Sequence, residues 1–182
     1  MTAILALAIA GASCATAGPA VGPAPFPGSP RVAPPAAAIE SAESRRLGAD
    51  VVRRALALRG TPYRLGGERP ETGLDCSGLV RHVFLEARVP LPRTVAHQFT
   101  VGTRVSRDAM KPGDLVFFDI TAPNPSHVGI VVDEDAFVHA PGSGGAVRVD
   151  RLSAPYWESR LRAIRRVPVE VGRMPEDSTP AN

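Results

Sequence analysis

Cysteine is scarce in this chain, which has only Cys14 and Cys76 among its 182 residues. Two thiols cannot make the several bridges of a disulfide framework, and the cysteine count also excludes zinc fingers. Aromatic residues make up only 5% of the chain, and no basic stripe interleaved with aromatics occurs. A nucleic-acid partner is therefore not expected.

Long apolar runs are also missing. Residues 3–12 have the length of the core of a signal peptide and are too short to span a membrane as a helix. No lysine or arginine precedes Arg31, so the positive charge that usually opens a signal peptide is absent, and a disordered alanine-rich tail is the alternative. We expect residues 1–17 to be a signal peptide and the protein to be exported to the periplasm or cell envelope.

Two processing sites fit the end of this segment. Small residues favour cleavage after Ala17. Alternatively, residues 11–14 resemble the box of a bacterial lipoprotein, with Gly11 where leucine is usual. In that case the signal ends before Cys14, and Cys14 carries an outer-membrane lipid anchor.

Proline is abundant instead: the chain has nineteen, and seven of them lie between residues 19 and 35. Such a density excludes helix and central strand, so we expect residues 18–40 to be a disordered linker rich in proline and alanine. A folded domain is expected over 41–168, followed by a polar tail at 169–182. The net charge of +3 and the pI of about 9.4 support only a weak attraction to an anionic polymer or membrane surface.

Helical periodicity precedes strand periodicity along the domain. Apolar spacing predicts one helix over 42–59 and a second from Cys76 to about Arg88, and Thr94 is placed to cap a short helix that reaches about Val101. Short β-branched and aromatic runs then predict five strands, at 115–120, 127–133, 136–140, 146–150 and 161–167. This order indicates an α+β domain, with N-terminal helices packed on an antiparallel sheet.

Cys76 stands where a loop is expected to become a helix. A lone cysteine is most often a small buried hydrophobe. Here Asp75 is a good N-cap, which places Cys76 in the first turn, where free N–H groups and the helix dipole favour a thiolate. If the protein is exported, Cys76 has no intramolecular disulfide partner, and an unpaired thiol in an oxidising compartment indicates a reactive one.

Four histidines occur in the chain, and a reactive thiol needs a base. His82 and His97 fall in predicted helices, and we expect both at the surface. His127 opens one predicted strand and His139 lies near the end of the next, so folding the hairpin about residues 133–135 brings the two roughly opposite each other. This pattern suits a nucleophile, a base and an orienting group.

Other interpretations of these residues are open. Each histidine alone would be an ordinary strand-end residue. A mononuclear zinc site formed by Cys76, His127 and His139 is the rival chemistry, but it lacks the nearby carboxylate base that hydrolytic zinc sites usually have. We therefore expect no metal and no other cofactor.

Several motifs follow one another in order along the chain: GTPYRLGG (60–67), DCSGLV (75–80), PRT (92–94), KPGDLVFF (111–118), SHVGIVV (126–132), FVHA (137–140) and PYW (155–157). Together they resemble the NlpC family of bacterial cell-wall cysteine peptidases, over residues 44–167. The resemblance implies a papain-like α+β fold and peptidoglycan peptides as substrate. It leaves open whether the stem peptide or the cross-link is cleaved, because the family does both.

The resemblance also implies a catalytic set. Cys76 would be the nucleophile, and His127 would be the base that later protonates the leaving amine. His139 would orient His127, at a position where the family also accepts asparagine or glutamine.

Three further residues match substrate-contacting positions of the family. Tyr63 would help to line the oxyanion site, and Asp75 and Ser77 would hold the peptide end of the substrate. The segment 68–73, between the tyrosine loop and Cys76, is slightly longer than usual, which puts the placement of Tyr63 in question.

Two other functions fit the same residues. A related acyl-transfer enzyme would use the thiol on a non-murein amide or lipid ester. A non-catalytic wall-binding lipoprotein would keep only the fold, but it would not need Cys76, His127 and His139 intact. We expect the protein to be a monomer.

Overall fold

The computed structural model describes residues 36–169, apart from residues 122, 123 and 143. Its helices are α1 (Ala36–Ala57), α2 (Cys76–Glu86), α3 (Val95–Gln98) and α4 (Pro155–Glu158), with a 3-10 turn at Arg107–Ala109. Its strands are β1 (Glu68–Arg69), β2 (Gly73–Leu74), β3 (Thr103–Val105), β4 (Leu115–Phe118), β5 (His127–Val131), β6 (Ala136–His139), β7 (Arg148–Arg151) and β8 (Leu161–Arg166). The predicted signal, Cys14, the linker up to residue 35 and the tail from residue 170 lie outside the described residues.

The larger sheet in this part of the chain has six antiparallel strands, in the order β3-β8-β4-β5-β6-β7. Strands β4 to β7 form a meander, and β8 returns to pair with the other side of β4. Strands β1 and β2 form a separate ribbon just before α2. Helices followed by an antiparallel sheet confirm the predicted α+β class. No helix within residues 36–169 is both long and apolar enough to cross a membrane.

Some element boundaries differ from the sequence prediction. Helix α1 begins at Ala36, inside the segment predicted as linker, because the alanines that follow the last proline of that segment have the highest helix propensity. Strands β1, β2 and β3 have only two or three residues, too few to show an alternating pattern. Strand β7 begins at Arg148 instead of Ala146, since Ala146 makes an isolated bridge with Pro62.

Side chains alternate across the sheet and fill two cores. On one face, Val128, Ile130 and Val138 pack with apolar residues of α1 and α2. On the other face, Val131 and Phe137 pack with Trp157 of α4. Residues 127 and 131 are an even number of positions apart in β5 and therefore lie on the same face of the sheet. His127 thus belongs to the second face, which carries the aromatic residues.

The hairpin of β5 and β6 sets the relation between the two strand histidines. Ile130 pairs with Val138 and Val131 with Phe137, so the continued register puts Gly129 opposite His139. His127 is therefore a diagonal neighbour of His139 on the same face, which agrees with the predicted roughly opposite placement and refines it by two residues. This register is the one obtained by folding the hairpin about residue 134, the centre of the turn at residues 133–135.

Gly129 makes this diagonal contact possible. A Cβ atom at this position would lie 2.6 Å from Cδ2 of Phe137 and 3.3 Å from Cβ of His139. Because real Cβ contacts at 2.6 Å do not occur, any side chain here would displace the ring of Phe137 and press on His139. The absence of a side chain at residue 129 thus leaves room for the ring of Phe137 and for the Cβ atom of His139.

Candidate active site

Cys76 is the first residue of α2, as the sequence predicts. Asp75 is the N-cap, with φ −89° and ψ 177°, and its Oδ1 accepts the N–H of Gly78 at 2.7 Å. A Cβ atom at Gly78 would collide with the carbonyl oxygen of Gly67. The loop before the helix therefore packs directly on the first turn, close to the thiol.

The carboxylate of Asp75 is engaged by several donors at once. Besides Gly78, it accepts hydrogen bonds from the Gly66 N–H at 3.0 Å, the Ser77 hydroxyl at 3.1 Å and two nitrogens of Arg93 at 3.0 and 2.6 Å. Burial raises the pKa of Asp75, but the hydrogen bonds from Arg93 and Gly78 outweigh it and hold that pKa below its ordinary value. Asp75 is thus an ionised group that ties together the loop, the helix start and Arg93.

Asp75 and Ser77 are both nearly inaccessible, at 7% and 5% exposure. The Ser77 hydroxyl donates to Asp75 and accepts from Arg93 at 2.9 Å. The role implied for these two residues, holding the peptide end of the substrate, remains a prediction. Arg93, from the PRT motif, joins them as a residue to which sequence reasoning assigned no role.

The thiol of Cys76 lies beside the beginning of β5. Burial raises its pKa to about 11, with the charge of Asp75 as the second cause, and the N–H groups of Val128, Ser77 and Cys76 itself act in the opposite direction. The predicted preference for a thiolate is therefore wrong for the free protein, because burial outweighs the helix N-terminus. The contact with Val128 brings the thiol next to the residue that follows His127.

His127 and His139 are brought together by the sheet. His127 Nε2 and His139 Nδ1 lie 2.8 Å apart, and the ring planes cross at 88°. Both side chains are buried, at 4% and 0% exposure. Burial lowers the pKa of His127 to about 3 and that of His139 to about 4, so both rings are neutral near pH 7. No hydrogen bond joins Cys76 to His127 among the contacts of the described residues.

His139 makes a second contact on its other side. Its Nε2 lies 3.1 Å from Oδ2 of Asp150 in β7. Sequence reasoning missed Asp150, because the pairing of β6 with β7, which sets Phe137 against Asp150, is decided across a long loop. A polar residue in the fourth strand of the meander was the available signal.

Aromatic rings enclose the histidines. The indole of Trp157 stacks on His127 with centroids 5.6 Å apart and meets His139 edge-on at 4.9 Å. Its Nε1–H also donates to Asp150 at 3.0 Å. Phe118 and Phe137 complete the enclosure, at 6.2 Å from His127 and 4.7 Å from His139. This apolar surrounding is the source of the burial that lowers both imidazole pKa values.

Tyr63 lies close to the thiol, in the loop before β1. Its backbone N–H donates to the carbonyl of Gly145 at 2.8 Å. Tyr63 also forms an isolated β-bridge with Leu74, which lies two residues before Cys76. Burial raises the pKa of Tyr63, with the charges of Cys76 and Asp75 as further causes, so the phenol lies within electrostatic range of the thiol. Its role at the oxyanion site remains a prediction.

The other two histidines do not join this group. His82 Nε2 lies 3.6 Å from Glu86 on α2, and Nδ1 of the exposed His97 lies 3.0 Å from the Thr94 hydroxyl. Within residues 36–169, apart from the three that are not described, no group of three or more histidine, cysteine or acidic residues has the arrangement of a metal site.

Comparison with known proteins identifies the family. The NlpC/P60 family model matches residues 60–166. The chain is 40% identical over 110 residues to the murein DD-endopeptidase MepS/murein LD-carboxypeptidase of Escherichia coli, covering 60% of this chain and 57% of that protein. It is 35% identical over 120 residues to the gamma-DL-glutamyl hydrolase of Bacillus subtilis, covering 64% and 29%.

A solved structure of an NLP/P60 family protein from Staphylococcus aureus, described as similar to lipoprotein, superposes with a TM-score of 0.61. It shares 33% identity over 68% of this chain and 42% of that one. The chain spans only part of the length of each of these relatives. The structural match confirms the predicted papain-like α+β fold. The family model covers more than half of the chain, which therefore belongs to the NlpC/P60 family.

Proposed function

We propose that this protein hydrolyses peptide bonds of peptidoglycan, with Cys76 as nucleophile, His127 as base and His139 as the group that orients it. The observation that carries the proposal is the 2.8 Å contact between the two imidazoles, beside the strand start that the thiol touches. The name of the Escherichia coli relative, a murein DD-endopeptidase, supports the substrate class.

Burial favours a neutral thiol and a neutral imidazole in the resting site. When Sγ of Cys76 attacks the amide carbon, the thiol proton passes to His127 and the carbonyl electrons move to the oxygen. The C–N bond then breaks, His127 gives the proton to the leaving amine, and a thioester remains. Water cleaves the thioester, and its proton returns to sulfur by way of His127.

The developing oxyanion needs hydrogen-bond donors. The proposed donors are the N–H of Cys76, which has no intrahelical partner at the first position of α2, and the hydroxyl of Tyr63. Asp75 and Ser77 are proposed to hold the peptide end of the substrate. A substrate ammonium group would share the Asp75 carboxylate with Arg93.

The bond is proposed to lie either in the stem peptide or in the cross-link. The two relatives are named for different bonds, a DD bond and a gamma-DL-glutamyl bond, so product masses must decide. Export to the periplasm or cell envelope belongs to the same proposal. Loss of membrane fractionation in Cys14→Ala would identify a lipid anchor, and mature protein beginning at Gly18 would identify a cleaved signal.

Digestion of defined muropeptides and intact sacculi by the purified full chain tests the proposal. We expect wild type to cleave and Cys76→Ala to lose about a thousandfold or more, because the nucleophile is gone. His127→Ala should lose a comparable factor, whereas His97→Ala, a histidine on the exposed side of α3, is the matched control and should stay active. Mass spectrometry of the products names the bond.

Two outcomes would overturn the proposal. One is equal cleavage by wild type and Cys76→Ala, which would remove the thiol from the reaction. The other is no cleavage of monomers, dimers or sacculi by a folded wild type, which would direct the search to non-murein amides and esters.

A further inference from the structure

Asp150 is the last of three side chains that are joined in series by hydrogen bonds, after His127 and His139. These hydrogen bonds run from His127 Nε2 to His139 Nδ1 at 2.8 Å, and from His139 Nε2 to Asp150 Oδ2 at 3.1 Å. We call His127, His139 and Asp150 the hydrogen-bond chain. Its two histidines have roles under the proposed function, and Asp150 has none.

The carboxylate of Asp150 is held by donors on several sides. Oδ2 accepts from the Trp157 indole at 3.0 Å and from Arg148 Nη2 at 2.9 Å, and Oδ1 accepts from Arg148 Nε at 3.0 Å. Burial raises the pKa of Asp150, but the Arg148 hydrogen bonds and His139 outweigh it and lower that pKa below its ordinary value. Asp150 is therefore an ionised carboxylate, which accepts hydrogen bonds and donates none.

An acceptor at one end of the chain determines where each proton lies. Since Asp150 only accepts, the hydrogen between it and His139 is on Nε2 of His139. A neutral imidazole carries one N–H, so Nδ1 of His139 is then the acceptor for His127. The hydrogen between the rings is consequently on Nε2 of His127, and Nδ1 of His127 keeps its lone pair.

We propose that Asp150 is a positioning residue that sets the direction of the hydrogen-bond chain, so that His127 presents an unprotonated Nδ1 to the thiol of Cys76. This inference rests on the proposed function for its catalytic meaning, but the proton positions themselves do not depend on any substrate. In the opposite direction, Nδ1 of His127 would carry a hydrogen and could not accept the thiol proton.

The carboxylate has a second effect on the same chain. Its negative charge raises the pKa values of both histidines, against the burial that lowers them. When His127 takes the proton of Cys76, the positive charge is stabilised through His139 by Asp150. Asp150 acts through His139, so its loss should lower kcat more than it changes KM.

Nitrogen-15 NMR of the histidine rings in the full-length protein tests the proton positions directly. In wild type we expect His127 and His139 both to carry the hydrogen on Nε2, with Nδ1 in the unprotonated form. In Asp150→Ala the acceptor is gone, and His139 should become a mixture of tautomers. Asp150→Asn should lie between, because its amide oxygen still accepts but carries no charge.

Kinetics on the muropeptide substrate provide the second measurement. We expect Asp150→Ala to lower kcat about 10- to 100-fold, as for other groups that orient a functional histidine, with a smaller change in KM. Asp108→Ala, an exposed aspartate in the 3-10 turn, is the matched control and should leave both the spectrum and kcat unchanged.

Each result bears on the inference. A wild-type spectrum with the hydrogen on Nδ1 of His139 would overturn it, and so would an Asp150→Ala protein whose tautomers and kcat match wild type. If Asp150→Ala does not fold, the wild-type spectrum and Asp150→Asn still decide. If wild type hydrolyses no murein, the proposed function fails while the NMR result continues to test Asp150.

Discussion

Asp75 and Asp150 are both carboxylates beside the site, and an arginine lowers the pKa of each, but they act on different parts of it. Asp75 accepts from two backbone N–H groups and holds the start of a helix in place. Among the described residues, the carboxylate of Asp150 accepts only from side chains, one of which is an imidazole. Asp75 thus fixes the backbone at the helix start that bears Cys76. Asp150 is proposed to fix which ring nitrogens of His127 and His139 carry hydrogen.

Two glycines repeat this contrast. Gly78 leaves room for the backbone of the loop that packs on α2, whereas Gly129 leaves room for the side chains of Phe137 and His139. Backbone cannot move aside as a side chain can. We therefore expect damage near the thiol to appear mainly in stability, and damage near the histidines to appear mainly in catalysis.

The largest expected difference in stability is between the two carboxylates. Asp75→Ala should lower the free energy of unfolding by about 3 kcal/mol, because two backbone N–H groups lose their acceptor and Arg93 loses its buried carboxylate partner. Asp150→Ala should cost about 1–2 kcal/mol, since the exposed Arg148 can turn to water, although the Trp157 indole and His139 lose their acceptor. Urea unfolding of both variants measures the difference. Equal losses of unfolding free energy would contradict the different structural roles of the two carboxylates.

The second prediction compares the effects of alanine at Gly78 and at Gly129 on stability and on kcat. Gly78→Ala should lower the free energy of unfolding by about 2–3 kcal/mol, because its Cβ meets a carbonyl of the Gly67 backbone. Gly129→Ala should lower stability by about 1–2 kcal/mol but reduce kcat by about tenfold or more, since His139 must shift. Measuring unfolding and kcat for both variants tests this. A Gly129→Ala protein with wild-type kcat would show that the site tolerates the shift.

The third comparison concerns the dependence of stability on pH. The histidine pKa values of about 3 and about 4 in the folded protein lie below the ordinary 6.5, so between these values the unfolded chain binds protons that the folded chain does not. The stability that results from keeping His127 and His139 neutral is fully present above about pH 6.5 and is lost as the pH falls toward 4. The contribution of Asp75 behaves differently, because its lowered pKa means that it is lost only below about pH 3.8.

Replacing one histidine sharpens this prediction. His139→Gln should flatten the loss of stability between pH 6.5 and 4.5, by at most about 1.4 kcal/mol per pH unit for one proton. His97→Gln, on the exposed side of α3, is the matched control and should keep the wild-type slope. Urea unfolding across this pH range is the measurement, and identical slopes for His139→Gln and wild type would contradict the buried, neutral state of His139.

Local pattern was enough to predict the helical half of the site. The N-cap at Asp75 and the apolar spacing after it predict that α2 begins at Cys76, because capping and periodicity act within one or two turns of chain. The strand that begins at His127 followed from its β-branched run in the same way. The ordered motifs identified the family, which the comparisons confirm.

Long-range contacts decided the rest. The diagonal register of His127 and His139 depends on Gly129 and on how β5 and β6 pair, and the contact of Asp150 with His139 depends on a third strand that arrives after a long loop. The hairpin register agrees with folding about residue 134, but the contact of Asp150 cannot be deduced from spacing, because a shift of one residue turns every side chain of a strand to the other face.

The sequence by itself determined which residues could do chemistry: a thiol at a helix start, two histidines on neighbouring strands, and a family motif around each. Only the tertiary structure decided their protonation. The free energy of a charge depends on what surrounds it in three dimensions, so burial among Phe118, Phe137 and Trp157 makes the imidazoles neutral, and burial of Cys76 keeps its thiol protonated against the helix dipole that favours the thiolate.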